Sequence, residues 1–210
     1  MISLGIVALL AIVTTSVLIF AGVRIIGWLQ ARDRVLVAAI VAVAYVLVFK
    51  LESGWWLVSD LAVLSTALVV GSVIGSALRS PAAVVSFCVV AGIVDVFSFS
   101  GGLTRTIVES FQLGDSRVLI HLSIAVPVGG SVRPIVGIGD LIVLAGLFAG
   151  FGHLRYGGWL PFAVPVVGLL LALGVGLVAG GAPALPFIAV ATIVYVLFQQ
   201  KHRNVSHAQH

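Results

Sequence analysis

Charge is nearly absent from most of this chain, and that fact constrains its fold more than any motif does. Only 9% of its 210 residues are Asp, Glu, Lys or Arg and 61% are hydrophobic, whereas soluble domains carry roughly 25% charged residues. The apolar runs reach or approach the roughly 20 residues that a helix needs to cross about 30 Å of hydrocarbon. Water is therefore not the main solvent, and membrane helices are the expected element. The run from Ile2 to Val23 is too long for a signal-peptide core, lacks a basic start and is followed by no clear cleavage site, so it reads as a permanent span.

Seven spans are predicted, at 2–23, 35–49, 57–78, 82–100, 135–152, 159–179 and 183–199. The second is short, and Arg34 and Lys50 at its ends can snorkel to extend its reach. The expected class is an all-α polytopic membrane protein, a bundle of about seven transmembrane helices. Residues 1–200 make one domain, with N-terminal helices in 1–80 and the remaining helices in 81–200. A short polar tail, 201–210, is expected to be disordered.

One connection is long, from about Gly101 to Pro134. Within it Val118 to Val128 is rich in β-branched residues and is followed by Gly129-Gly130, which predicts a short β-hairpin before the next helix. His121 reads as an exposed strand residue and His153 as part of a short turn.

The net charge of +4 does not point to nucleic acid, because the cations sit singly or in small groups at the ends of apolar runs. They read as topology signals. Arg24, Arg32, Arg34, Arg79, Arg155, Lys201 and Arg203 fall on one side, and Lys50, Arg105, Arg117 and Arg133 on the other. The bias predicts an N-terminus outside and a C-terminus in the cytoplasm. Cys88 is the only cysteine, so the chain has no internal disulfide and no metal-ligand or redox spacing. No metal or cofactor is expected. Small residues recur every fourth position at Ala67, Gly71 and Gly75 and at Gly168, Ala172, Gly176 and Gly180, ridges that let helix backbones pack closely.

Against this background three carboxylates stand out, Asp60, Asp95 and Asp140. A charge at the bilayer centre costs about 2.5 to 3.5 kcal/mol on insertion scales, so each is a candidate site. Asp95 lies six residues before Gly101 and Asp140 six after Pro134, which at about 1.5 Å per residue puts both about 9 Å inside the same face. Asp60 starts from that face too but nearer to water, where a capping or hydrated carboxylate is the plain reading. Two like charges a few Å apart do not both ionise easily, so a facing pair holds one proton over a wide pH range. One member then serves as base and the other as acid, and a water between them can attack a peptide carbonyl. The same pair could also glue helices together or relay protons.

Gly137-Ile138-Gly139-Asp140 leaves the backbone before the second carboxylate uncrowded. Pro183-Ala184-Leu185-Pro186, near the start of the last span, suits a rigid turn that initiates a helix. With Val94-Asp95-Val96-Phe97, these pieces resemble the presenilin and signal peptide peptidase family of intramembrane aspartyl proteases. That family has Asp on one helix, Gly-x-Gly-Asp on the next and Pro-Ala-Leu opening the last. The resemblance covers about residues 82–199 and extends to order, spacing and sidedness. It implies that Asp95 and Asp140 are the catalytic pair, that Gly137, Ile138, Gly139, Pro183, Ala184 and Leu185 support the substrate, and that the substrate is a transmembrane or signal-type peptide. Two departures stand beside it. Val94 replaces the family's usual Tyr, and about seven spans stand against the family's nine, which implies that helices that help to admit or bind substrate are either missing or supplied by a homo-oligomer or a helix-supplying partner.

A substrate helix must unwind before hydrolysis, and an extended segment such as Val118 to Val128 would offer it a strand edge. Two other functions fit parts of the pattern. One is a proton- or cation-coupled transporter with Asp60, Asp95 and Asp140 along a relay. The other is a prepilin-peptidase-like aspartyl enzyme, which also uses Gly-x-Gly-Asp but does not account for the Pro183 turn.

Overall fold

The computed structural model describes residues 4–28, 41, 56–101, 119, 121–128, 131–154, 156, 158–179 and 182–207. Six helices and one hairpin are assigned among them: α1 (Leu4–Trp28), α2 (Trp56–Ala77), α3 (Pro81–Gly101), β1 (Ser123–Val128), β2 (Ser131–Gly137), α4 (Ile138–Leu154), α5 (Leu160–Ala179) and α6 (Leu185–His207). Four of these, α1, α2, α3 and α5, are long and apolar enough to cross a membrane, while α4 is a shorter apolar helix of 17 residues. The chain is thus a mostly helical membrane protein, with six helices among the described residues in place of the seven expected. The predicted span at 35–49 lies almost wholly outside those residues.

Local chemistry explains where the elements start. The Ser80 hydroxyl accepts the Ala83 N–H at 3.1 Å and Pro81 opens α3, a side-chain cap followed by the residue that has no N–H to waste. Gly158, at φ 82°, takes the left-handed turn between α4 and α5 that other residues avoid. In an apolar solvent burial itself does not drive helices together, so close packing must.

The tightest seam joins α2 to α4. A Cβ at Gly71 would lie 2.5 Å from the Ala145 Cβ and 2.7 Å from the Ile142 carbonyl oxygen, and one at Gly75 would collide with Ala149. The Ala67–Gly71–Gly75 ridge therefore packs as expected. Of the second ridge, Gly168 and Ala172 are buried in α5, and Gly168 sits so close to α6 that a Cβ there would come within 2.7 Å of the Ile188 Cα. Aromatic side chains tie the remaining elements. Phe20 of α1, Phe148 of α4 and Phe162 of α5 form one cluster, and Phe151, Tyr156 and Tyr195 another that links α4 to α6.

Three expectations are corrected. The helix predicted from residue 135 starts at Ile138, because residues 131–137 continue the hairpin as β2; a β-branched apolar run suits either element by pattern alone. The tail expected to be disordered from Lys201 carries α6 on to His207. His202 meets the Phe198 ring edge-on from one turn further along the helix, with ring centres 4.4 Å apart. His153 belongs to the last turn of α4 and not to a connecting turn.

Candidate functional site

The hairpin is antiparallel and pairs Ser123 with Gly137 at its base and Val128 with Ser131 at its tip, with a bulge between Ile124 and Ala125. Its base is buried against the bundle through Ile124, Ala125 and Val136. Two contacts from the start of α2 hold it there. The Asp60 Oδ1 accepts the Ala125 N–H at 2.9 Å, and the Ser59 hydroxyl is 2.9 Å from the His121 Nδ1. Ala125 thus turns its donor away from β2, and Pro134 opposite it has no donor to offer, so this pair adds nothing to the ladder. The Asp60 carboxylate takes the place of a missing strand.

These contacts overturn the reading of His121 as an exposed strand residue. It is buried, lies just before β1, and is bonded to Ser59. Asp60 is half-buried and bound to the sheet, not a carboxylate left to water. Sequence reasoning missed the Ser59–His121 pair altogether. The available signal was two polar residues, Ser59 and Asp60, opening an apolar helix, with one histidine before a β-branched run at the same end.

Strand β2 passes into α4 without an intervening loop, and Gly-x-Gly-Asp occupies the junction. Gly137 ends the strand, Ile138 begins the helix and Asp140 is its third residue. Asp140 is therefore in the first helical turn and not six residues deep. Its carboxylate accepts the Gly137 N–H, the backward half of a capping box. Open space adjoins Gly139, where an added Cβ would meet nothing within 4 Å.

Asp95 reaches a different helix end. The Asp95 Oδ2 accepts the Leu185 N–H at 3.0 Å, and the Ala184 N–H also donates to this carboxylate. Both amides belong to the start of α6, where the Ala184 carbonyl accepts from Phe187 and Ile188 and Pro186 needs no acceptor. The Pro183 turn does initiate a helix, and Asp95 satisfies donors that the helix itself leaves open. Gly92, one turn before Asp95, faces the start of α6, where a Cβ would make ordinary contact with the Pro186 Cα at 3.6 Å.

The helices carrying the two carboxylates hardly touch each other. The main packing partner of α3 is α6 and that of α4 is α2. Asp95 and Asp140 nonetheless lie within Coulombic reach across this parting. Leu185 joins them through Asp95, and Gly137 through Asp140, while Asp60, on α2, is bonded to the hairpin instead. Beside Asp95 an apolar groove of about 360 Å³ runs between α3 and α6, lined by Gly92, Val96, Phe97, Pro186, Ala189 and Ile193. Among the described residues no three His, Cys, Asp or Glu side chains come together as a metal cage. The chain matches no family model, no curated protein and no solved structure.

Proposed function

We propose that this protein is an intramembrane aspartyl protease of the presenilin and signal peptide peptidase type, with Asp95 and Asp140 as its catalytic pair. The observation that carries the reading is the Asp95–Leu185 hydrogen bond, with Asp140 within Coulombic reach of Asp95. Three short motifs from separate parts of the chain thereby meet at one end of the bundle. A prepilin-peptidase-like enzyme gives no reason for the Pro183 turn to sit on Asp95. A transporter relay gives none for Asp60 to be engaged by Ala125 in place of the other carboxylates.

In this reading a water lies between the two carboxyls, which share one proton. The ionised member takes a proton from the water as its oxygen bonds to the peptide carbonyl carbon, and the protonated member donates to the carbonyl oxygen. The resulting diol collapses as the nitrogen is protonated and the C–N bond breaks, and no covalent enzyme intermediate forms. The apolar groove between α3 and α6 suits the side chains of a substrate helix. The extended backbone of β2, continuous with α4, offers an edge on which an unwound substrate can pair, with Gly137 to Gly139 and Pro183 to Leu185 flanking the scissile bond. By charge bias the N-terminus is outside and the C-terminus cytoplasmic.

The test is cleavage of a transmembrane peptide by purified protein, comparing wild type with Asp95→Asn and Asp140→Asn at matched thermal stability. Either change is expected to reduce the rate by about 10² to 10⁴ or more. Equal cleavage by all three proteins rejects the proposal.

A further inference from the structure

At the end of the bundle away from the aspartates, a cavity of about 460 Å³ lies between the last turns of α1, α2 and α4 and the start of α5. That size is within the range of small-ligand sites. Among the described residues none that lines it is acidic, and Arg24 is the cation that does. The Arg24 guanidinium carbon is 5.1 Å from the centre of the Phe20 ring and 5.6 Å from that of Phe162. Rings that hold a guanidinium by attraction to their faces do not consume its N–H donors, which stay available to an acceptor.

Other donors converge on the same space. The Ser72 hydroxyl is buried with no hydrogen-bond partner among the described residues and lines the cavity, as does His153, while the Ser76 hydroxyl beside them donates to the Val73 carbonyl. Arg79, one turn beyond the lining Ser76, is exposed and donates its Nε to the Ser76 carbonyl at 2.9 Å, outside the cavity lining. A guanidinium, an imidazole and an unbonded hydroxyl without a carboxylate make a site for an oxyanion, and planar N–H edges suit phosphate best. The walls are aromatic and aliphatic, and Trp159 and Leu160, next in the chain to the lining Gly158, are exposed apolar side chains along which acyl chains can lie. Basic pockets between transmembrane helices take lipid headgroups by this chemistry.

We propose that this cavity binds the phosphate headgroup of an anionic glycerolipid, with Arg24 as the principal phosphate ligand and Ser72 and His153 as further hydrogen-bonding groups. The site is independent of the protease reading and would stand if that reading failed.

Full-length protein in a neutral detergent is offered phosphatidylglycerol or phosphatidylcholine, and bound lipid is counted by native mass spectrometry. Wild type is expected to retain phosphatidylglycerol at least about tenfold better, the weight of one charge-assisted hydrogen bond. Arg24→Gln should erase this preference and Arg24→Lys, which keeps the topological charge, should reduce it. Ser72→Leu, which fills the cavity and leaves Arg24 in place, should also erase it and decides the matter if Arg24→Gln does not fold. Displacement of the lipid by millimolar inorganic phosphate would support the oxyanion site but assign it to a soluble anion. Equal retention of both lipids by wild type, or an unchanged preference in Arg24→Lys and Ser72→Leu, overturns the proposal.

Discussion

The two ends of the bundle hold their charges in different ways. At one end each of the three described carboxylates is gripped by main-chain donors: Asp60 by Ala125, Asp95 by Leu185 and Ala184, Asp140 by Gly137. At the other, Arg24 rests on two aromatic rings and Arg79 on a single carbonyl, so their outer N–H groups face the surroundings. Main-chain donors are fixed by the fold, whereas rings and long side chains adjust. The acidic end is therefore built to hold atoms in place, and the basic end to accept what arrives.

The comparison can be broken most severely at the acidic end. If Asp95 and Asp140 share a proton, cleavage should follow a bell-shaped pH profile that both Asn variants abolish; a rate flat from acidic to alkaline pH would separate placement from chemistry. Next in size comes the seam that positions Asp140. Gly71→Leu must push α2 from α4, with a cost of about 1 to 3 kcal/mol or more. A thermal midpoint lowered by several degrees, together with lost cleavage, is the expected result; full activity would mean that α4 does not need α2 to place its carboxylate.

Smaller effects should mark the hairpin. Asp60→Ala leaves the Ala125 N–H without its acceptor, at about 1 to 3 kcal/mol. Hydrogen exchange at Ala125 should quicken while the α2–α4 seam stays protected, and uniform exchange across both would show that the hairpin is not separately latched. Ser59→Ala removes one neutral partner of His121 and should cost about 1 kcal/mol, read as a slight fall in thermal midpoint. A loss as large as that of Asp60→Ala would show the histidine, not the carboxylate, to be the main anchor.

How far the sequence told these things depended on which interaction set each feature. The membrane class, the Gly71–Gly75 ridge and helix initiation at the Pro183 turn were readable, because helix length, period and capping are local properties. The start of α4 was not, since Ile135 and Val136 satisfy a helix and a strand equally and only pairing with Ile124 distinguishes them. His121 was misjudged for a similar reason: its partner Ser59 lies 62 residues away, and nothing near the histidine signals burial. The tail from Lys201 looked too polar to fold, yet it continues α6 to His207, with His202 set edge-on against Phe198 one turn before it. The parting between α3 and α4, which decides how the two carboxylates face each other, is set by their different packing partners and left no trace in spacing.

Strand β2 and helix α4 are one unbroken length of backbone, with two residues, Ile138 and Gly139, between the last rung of the sheet and Asp140. Any chain that zips onto that strand pulls on the same rod that carries the acid. If the proposed proteolysis holds, docking and bond-breaking share a mechanical axis, and a peptide that grips badly also misaligns the proposed catalytic carboxyl.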